Sequence, residues 1–277
     1  MKQIAGFPGI YPDVHQERIA AHFGAGWNTE GLAKLEAELA TLKMFYVVCF
    51  TNRCGSNFLA QALASDGRIK QAGENLNFDS VINQSTRHGF KGFPEYMAWL
   101  VNRLKGKENV FGCKASSGQM LLLYNTGVLE RLKGRLQFIH ITRRHPVDQA
   151  ISMYIASKTK RWTSIDTGIE AELAYEPNEL LRTMEALSRQ NATFAVLFDL
   201  FGIKAVPVQY EKLIEDPVKV VRRVGRNLGL ANLRYVADKI VYERQADDLN
   251  AEFRARIHAD FGIETIRGAS TVEDDDT

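Results

Sequence analysis

The first strongly patterned part of the chain lies between residues 44 and 63. Residues 44–50 read Met-Phe-Tyr-Val-Val-Cys-Phe, a continuous apolar run that is typical of a strand buried on both faces. A polar turn with one glycine follows at 51–57, and the pattern at 58–63 predicts a helix. A strand, a tight loop and a helix in this order open many α/β domains that bind nucleotides.

The same alternation continues towards residue 230. Three more segments have the pattern of strands, at 109–114, 136–142 and 204–209. Helices are predicted at 147–161 and 217–228, each with a proline near its first turn. Repeated strand–helix units predict an α/β fold, a parallel β-sheet with helices on both faces.

The residues before Met44 differ in character. The first 28 are rich in turns, and Thr29 is then predicted to cap one amphipathic helix. Its apolar stripe either packs on the main domain or forms a dimer contact. The predicted organisation is an N-terminal extension at 1–43, a main domain at 44–268 and an acidic, disordered tail at 269–277. The stripe consists of Leu32, Leu35, Leu39 and Leu42.

Composition excludes several classes of function. The 277 residues carry 35 Lys and Arg against 33 Asp and Glu, a net charge of +2, so overall charge gives no support to nucleic-acid binding. Three cysteines are an odd number without a short pair spacing, which disfavours a disulfide framework or a zinc site. We expect no metal, no signal peptide and no membrane helix, and therefore a cytoplasmic protein.

The loop at 51–57, Thr-Asn-Arg-Cys-Gly-Ser-Asn, has the features of an anion site. It precedes a helix, whose first backbone N–H groups are free and whose dipole is positive at this end. Gly55 lets a phosphate approach the backbone, and Arg53 supplies a charged fork. The loop is not a Walker A motif and lacks the G-x-G-x-x-G of a dinucleotide fold. Taken alone, it fits a structural turn equally well.

A second candidate site follows the strand at 136–142. Arg144 lies just after the carboxyl end of this strand, the edge where α/β ligands bind, and Ser152 lies eight residues further on. Together they are placed to hold one phosphate. The alternative is that the arginines at 143 and 144 are solvated or that Asp148 pairs with one of them.

The two motifs together resemble the sulfotransferases that use 3′-phosphoadenosine-5′-phosphosulfate (PAPS). Arg-x-Gly-Ser after the first strand and Arg-x-Pro-x-Asp-x-x-x-Ser after a later one carry this resemblance. Further segments are similar to the trehalose sulfotransferase branch and its bacterial relatives: Ala72-Gly73-Glu74, 111–114, Gln149-Ala150-Ile151-Ser152, Thr159, Trp162, 208–213 and 245–247.

The resemblance implies a fold, a donor and site residues. The fold would be the P-loop-like α/β fold of sulfotransferases, and PAPS would be the co-substrate, leaving PAP as product. Arg144 and Ser152 would hold the 3′-phosphate, and Glu74 would be the general base. The 5′-phosphosulfate would be held by Arg53, Cys54, Gly55, Ser56 and Asn57. Relatives in this branch also imply a homodimer.

Histidine is the alternative base. His140 lies within an apolar strand and is interpreted as a core residue, and His145 is a further candidate. His88 lies in a polar segment that is predicted to line the acceptor site, and it ranks second to Glu74. Glu74 or His88 would accept the proton of the acceptor hydroxyl during sulfuryl transfer.

The chain departs from the branch at two places near the predicted acceptor site. Glu74 is followed by Asn75 rather than by proline, and the residues before Trp162 are Lys158-Thr159-Lys160-Arg161. These changes disfavour trehalose itself. Lys158, Thr159 and Trp162 are candidate substrate-binding residues. One hypothesis is that the cations Lys158, Lys160 and Arg161 favour an acceptor that is an anionic glycan or a sugar-lipid at a membrane surface; the other is a solvated basic helix end.

Two other functions remain open on the sequence. A nucleotide-dependent kinase or hydrolase on a similar scaffold is disfavoured because the Walker lysine and Mg²⁺-binding carboxylates are missing. A non-catalytic nucleotide-binding protein descended from the enzyme is the third possibility.

Overall fold

The fold is centred on a four-stranded parallel sheet. A computed structural model of the chain describes residues 14–162, 166–167, 169, 173–241 and 248–261. The strands are β1 (Met44–Cys49), β2 (Val110–Ala115), β3 (Leu136–Thr142) and β4 (Val206–Gln209). Their order across the sheet is β2-β1-β3-β4, and every neighbouring pair is parallel. The predicted α/β fold is confirmed.

Helices connect and cover the strands. Long crossovers are required because parallel strands cannot be joined by tight hairpins. In chain order the α-helices are α1 (Val14–Phe23), α2 (Leu32–Ala40), α3 (Ser56–Ala64), α4 (Phe78–His88), α5 (Phe93–Leu104), α6 (Ser117–Asn125), α7 (Pro146–Thr159), α8 (Pro177–Leu200), α9 (Tyr210–Glu215), α10 (Pro217–Asn227) and α11 (Asp248–Asp260).

Strand β1 shows how the sheet divides the core. Phe45 and Val47 belong to one buried apolar cluster, whereas Tyr46 and Val48 belong to a second. Successive side chains of a strand point to opposite faces, so the two clusters lie on the two sides of the sheet. This is why the run at 44–50 is apolar throughout rather than alternating.

Local sequence sets several helix starts. At α6, Ser116 and Gln119 form a capping box, with the Ser116 hydroxyl accepting from the Gln119 N–H. At α10, the Asp216 carboxylate accepts from the Lys219 N–H, and Pro217 occupies the first turn. The Ser116 cap fixes the turn after β2, where the candidate site lies, and the Asp216 cap fixes the turn between α9 and α10.

The segment before β1 contains two helices rather than one. Helix α2 begins after Gly31, which has a left-handed φ of 86°, so Thr29 is not its cap as predicted. Leu35 and Leu39 are buried in the same apolar cluster as β1, and Ile19 of α1 joins them. The leucine stripe therefore packs inside the chain, mainly against α5.

Candidate active site

The loop at 51–57 has a backbone shape that glycine makes possible. Arg53 and Gly55 both have left-handed backbone angles, φ 65° and 89°. A Cβ on Gly55 would lie 2.2 Å from Cδ2 of Tyr210, so no other residue fits this position without displacing the ring. Because α3 begins at Ser56, the free N–H groups of its first turn face the loop and favour an anion. We name residues 51–57 the phosphate-binding loop.

Lys114, near the end of β2, connects this loop to the predicted base. Its side chain is only 2% exposed. The ammonium group donates to the Ser56 hydroxyl at 3.3 Å, to the Asn57 side-chain oxygen and to Glu74 Oε1 at 2.7 Å. A buried ammonium group requires such partners. Sequence reasoning gave Lys114 no role; the indication was a lysine inside an otherwise apolar strand, beside a phosphate-binding loop.

Glu74 lies at the edge of the sheet because the segment before it pairs with β2. Gly73 forms a parallel bridge with Cys113, and its carbonyl accepts from the Lys114 N–H at 2.9 Å. The Glu74 side chain is 40% exposed. Its second oxygen accepts from the Asn77 amide at 3.4 Å. The carboxylate is thus held by a buried cation on one side and open on the other.

The open side of Glu74 faces a cavity of about 740 Å³, which we call the active-site cavity. Its wall is built from the loop after β1, the start of α6 and the middle of α8. Only Glu74 and Trp162 among the predicted catalytic and substrate-binding residues line it. The full lining is Val14, His15, Phe50, Asn52, Glu74, Asn77, Asp79, Ser116, Ser117, Gly118, Gln119, Trp162, Arg189, Gln190 and Thr193.

Arg53 joins the loop to α7. Its Nε donates to the Ser152 hydroxyl at 2.9 Å, and its Nη1 donates to the Trp162 carbonyl. Burial lowers the pKa of Arg53, and the nearby charge of Arg143 lowers that pKa further. The guanidinium groups of Arg53 and Arg143 are near enough to affect each other's charge, and two such groups favour binding of an anion beside them.

Arg144 and Ser152 make separate contacts. The Arg144 side chain is exposed and donates to the Gln209 side chain at 3.1 Å, while its N–H donates to Glu211 at 3.0 Å. Ser152 instead accepts from Arg53. Asp148 accepts from Arg254 of α11 at 2.6 Å rather than from Arg143 or Arg144. Arg144 thus contacts the end of β4 and the start of α9, whereas Ser152 of α7 contacts Arg53 of the loop.

A buried glutamine holds the front of the loop. Gln149, only 1% exposed, donates to the Thr51 hydroxyl at 2.8 Å and to the Asn52 carbonyl at 2.7 Å. Thr51 in turn donates to Asn191 of α8 at 3.4 Å. Both donors of the Gln149 amide are used within the loop, so the loop is joined to α7 and, through Thr51, to α8.

The histidine candidates do not lie at the cavity. The exposed His88 ring stacks on Phe90, with ring centroids 5.4 Å apart, and also contacts Trp99. His140 packs against Phe194 and Phe198, and burial lowers its pKa to about 4. His140 is thus a neutral core residue, although its Nε2 has no hydrogen-bond partner among the described residues.

The basic turn before Trp162 is partly neutralised. Lys158 pairs with Glu179 of α8 at 2.8 Å, and this hydrogen bond raises the pKa of Lys158. The Thr159 hydroxyl donates to the Ile155 carbonyl. Neither side chain lines the active-site cavity, whereas Trp162 does and is 41% exposed.

The remaining reactive side chains are the three cysteines. Cys49, Cys54 and Cys113 are free and buried; burial raises the pKa of Cys54 to about 11, so its thiol is protonated at neutral pH. The part of the chain that the structure describes holds no His, Cys, Asp and Glu group suited to a metal and no helix able to cross a membrane. Residues 245–247 and the tail lie outside the described residues.

Comparisons with known proteins give a family match and a similar solved structure. The family model described as Stf0 sulphotransferase matches residues 45–260. Among solved structures, the crystal structure of a sulfotransferase from Alicyclobacillus acidocaldarius is similar, with 18% sequence identity, a TM-score of 0.43, and coverage of 79% of this chain and 96% of that one. Among curated protein sequences, none matches the chain.

Proposed function

Because the chain belongs to the Stf0 sulphotransferase family, we propose that it transfers a sulfuryl group from PAPS to a hydroxyl group of a carbohydrate or glycolipid. The observation that carries this proposal is Lys114, whose ammonium group contacts both the phosphate-binding loop and Glu74. A donor anion on the loop and an acceptor hydroxyl at Glu74 would therefore meet beside one cation. Sulfuryl transfer, like phosphoryl transfer, depends mainly on such alignment and charge stabilisation.

The residues around the loop fit a phosphosulfate group. Gly55 leaves space that a Cβ would fill, and the first N–H groups of α3 favour an anion. Arg53 and Lys114 supply positive charge at the two ends of the loop. PAPS would supply the sulfuryl group, and Arg144 and Ser152 remain the residues proposed for its 3′-phosphate.

Glu74 is the proposed general base. As the acceptor oxygen bonds to sulfur and the bond from sulfur to the donor phosphate oxygen breaks, the hydroxyl proton passes to the Glu74 carboxylate. Lys114 holds this carboxylate from behind at 2.7 Å, so that its open side faces the cavity. Arg53 and the loop N–H groups would stabilise the charge that develops on the departing phosphate. A positioned base contributes roughly 10²–10⁴-fold in rate.

Selective binding of PAP tests the donor. Thermal unfolding is followed with PAP, AMP and ATP at equal concentrations. We expect PAP to raise the melting temperature most, because a ligand that binds only the folded state stabilises it, and because PAP carries the 3′-phosphate that AMP and ATP lack. Equal shifts for the three nucleotides, or none, would contradict PAPS as the donor.

Replacement of the base separates an enzyme from a binding protein. Glu74→Gln keeps the size of the side chain but cannot accept the proton. We expect turnover of radiolabelled PAPS to fall by about 10²-fold or more, with PAP binding retained. Glu130→Gln, at an exposed position, is the matched control and should keep full activity. Equal turnover in the two variants would remove Glu74 from the mechanism.

Fewer contacts in the structure bear on the acceptor class and on the oligomeric state. The pairing of Lys158 with Glu179 leaves fewer free charges for an anionic acceptor than the sequence pattern indicates. An acceptor presented at a membrane surface, a homodimer and a cytoplasmic location stay predictions. Size-exclusion chromatography with light scattering tests the dimer, and a monomer at micromolar concentration would contradict it.

A further inference from the structure

Helix α1 lies outside the residues that the family model matches, yet it forms part of the wall of the active-site cavity. The match covers residues 45–260, and α1 precedes them. Val14 and His15, at the start of α1, line the cavity together with Glu74 and Asn77. The segment before β1 thus contributes to the wall that surrounds the proposed base.

Several contacts hold α1 against α4 and α6. Ile19 is fully buried in the same apolar cluster as β1. The Arg18 guanidinium carbon lies 3.7 Å from the centre of the Phe78 ring of α4. At the end of α6, the Asn125 amide donates to the Gln16 side chain at 2.7 Å. Because these contacts fix α1, removal of one further polar side chain from its first turn should leave the helix in place.

Helix α4 begins without a cap from its own N-terminal residue. Asn77 belongs to the residue types that cap helices best, and it has the extended backbone of a cap, with φ −63° and ψ 135°. Its side chain nevertheless makes no capping hydrogen bond. The Phe78 N–H, the first of α4, donates instead to Nδ1 of His15 at 3.1 Å, across 63 positions of the chain. His15 thus supplies from α1 an acceptor for the start of α4.

The Asn77 side chain is used at the active site instead. Its amide donates to Glu74 Oε2 at 3.4 Å, and its oxygen accepts from the Gln119 amide at 2.6 Å. Gln119 is 1% exposed and belongs to the capping box of α6. Asn77 therefore links the Glu74 carboxylate to the fixed start of α6. If Asn77 turned back to cap α4, its oxygen would accept from the helix and no longer from Gln119.

We propose that His15 is a positioning residue of the active site: by capping α4 from α1, it leaves Asn77 to hold the Glu74 carboxylate. Without His15, the first N–H groups of α4 would compete with Gln119 for the Asn77 oxygen. Small displacements of a reacting group lower a rate strongly, so a cap that touches no substrate can still affect kcat. This inference rests on the proposed function, in which Glu74 is the general base.

Two substitutions at His15 separate the accepting atom from the ring. His15→Leu removes the acceptor, whereas His15→Asn places an amide oxygen near the position of Nδ1. We expect kcat, measured with radiolabelled PAPS and an acceptor that the wild type uses, to fall about 10-fold in His15→Leu, the equivalent of one neutral hydrogen bond. PAP affinity should stay unchanged, and His15→Asn should stay within about threefold of the wild type. His22→Leu is the matched control, at an exposed position near the end of α1 that does not line the active-site cavity.

A double-mutant cycle tests whether His15 acts through Asn77. Asn77→Ala removes the side chain that the cap leaves available to Glu74. In that background, His15→Leu should lower kcat by less than about twofold, because residues that act through one another are not additive. The same loss in both backgrounds, or a loss in His15→Asn as large as in His15→Leu, would overturn the proposal. An unchanged kcat in His15→Leu, or an equal loss of PAP affinity, would do so as well.

Amide hydrogen exchange provides a readout that needs no turnover. The first turn of α4 should exchange about fivefold faster in His15→Leu than in the wild type, His15→Asn or His22→Leu. Equal exchange over residues 77–81 in the two leucine variants would contradict the cap, and thermal unfolding verifies that each variant is folded. If sulfuryl transfer is the wrong function, turnover is absent from the wild type as well while the exchange difference remains. The two failures are therefore distinguishable.

Discussion

The proposed donor side and the proposed acceptor side of the site differ in how far their side chains are hydrogen-bonded within the protein. Around the phosphate-binding loop, Lys114 and Gln149 are buried and donate to two loop atoms each. Four polar residues of α4 line a second cavity between α4 and α5: Asp79, Ser80, Asn83 and Gln84. Their side chains have no hydrogen-bond or ion-pair partner among the described residues. The polar groups around the loop are thus paired with protein partners, whereas those of the α4 residues have none among the described residues.

This contrast has a physical reason. A buried charged group must be satisfied inside the protein, because unpaired burial costs several kcal/mol. A partly exposed amide or hydroxyl group can instead hydrogen-bond to water, at little cost in free energy. Substitutions on the donor side should therefore impair every acceptor equally, and those on the acceptor side should depend on which acceptor is used.

Loss of the buried ammonium group should have the largest effect. Lys114→Met keeps the aliphatic chain but removes the charge shared by the loop and Glu74. We expect kcat to fall by about 10²–10³-fold for every acceptor, the usual cost of removing one preorganised group that stabilises charge. Lys107→Met, at an exposed position just before β2, should change kcat by less than about twofold. If both variants behave alike, Lys114 has no special role on the donor side.

A pair of glycine variants isolates the shape of the loop. Gly55→Ala and Gly67→Ala both place alanine at a left-handed φ, but a Cβ at Gly67 meets nothing within 4 Å. Gly67→Ala should cost about 1 kcal/mol of unfolding free energy, and Gly55→Ala roughly 3 kcal/mol with loss of PAP binding, because the methyl group also displaces Tyr210. Chemical denaturation and PAP titration measure both. Equal costs would show that the loop can adjust.

The pH dependence of stability tests the role of His140. Burial lowers its folded-state pKa to about 4, below the unfolded value near 6.5. The unfolded chain therefore binds the proton first as pH falls, and stability is lost between about pH 6.5 and pH 4. From pH 7 to pH 5 we expect a loss of about 2 kcal/mol from this residue.

His140→Phe should remove that loss while leaving the pH profile of kcat unchanged. The comparison is made by denaturant unfolding at several pH values for the two proteins. A changed kcat profile in His140→Phe would instead place the histidine in the catalytic chemistry.

The smallest effect is expected at the basic turn. Lys158 already pairs with Glu179, and exposed pairs contribute little. Lys158→Ala should therefore change kcat/KM by less than about twofold for both neutral and anionic sugars. A selective loss with anionic sugars would restore the hypothesis that this turn binds a negatively charged acceptor.

Local pattern predicted the four strands of the sheet well, for identifiable reasons. The predicted strand at 136–142 coincides with β3, and the other three lie within two residues of the observed strands. Apolar runs bounded by polar turns leave few alternatives for a buried parallel strand. Helix α8 has no counterpart among the predicted elements. Its residues Arg189, Gln190 and Thr193 line the cavity, but they form no recognisable sequence motif.

Side-chain partners were harder to predict than strands. Arg144 and Ser152 were predicted to act on one phosphate; the structure shows only that Ser152 accepts from Arg53 across 99 positions of the chain, so their shared role stays a prediction. His88 was expected near the acceptor, yet it stacks on Phe90 at the end of α4. A side chain on a helix or loop reaches a partner according to how the element packs, and spacing in the sequence does not specify that packing.

The sequence by itself determined the parallel α/β fold, a tight glycine-containing turn between β1 and α3, and membership in a sulphotransferase family. These follow from apolar periodicity and from short motifs, which act over a few residues. Only the tertiary structure decided that Lys114 joins the loop to Glu74, and that two cavities meet at Asp79. The sheet order β2-β1-β3-β4 brings the ends of β1 and β2 side by side, and no local pattern encodes that neighbour relation.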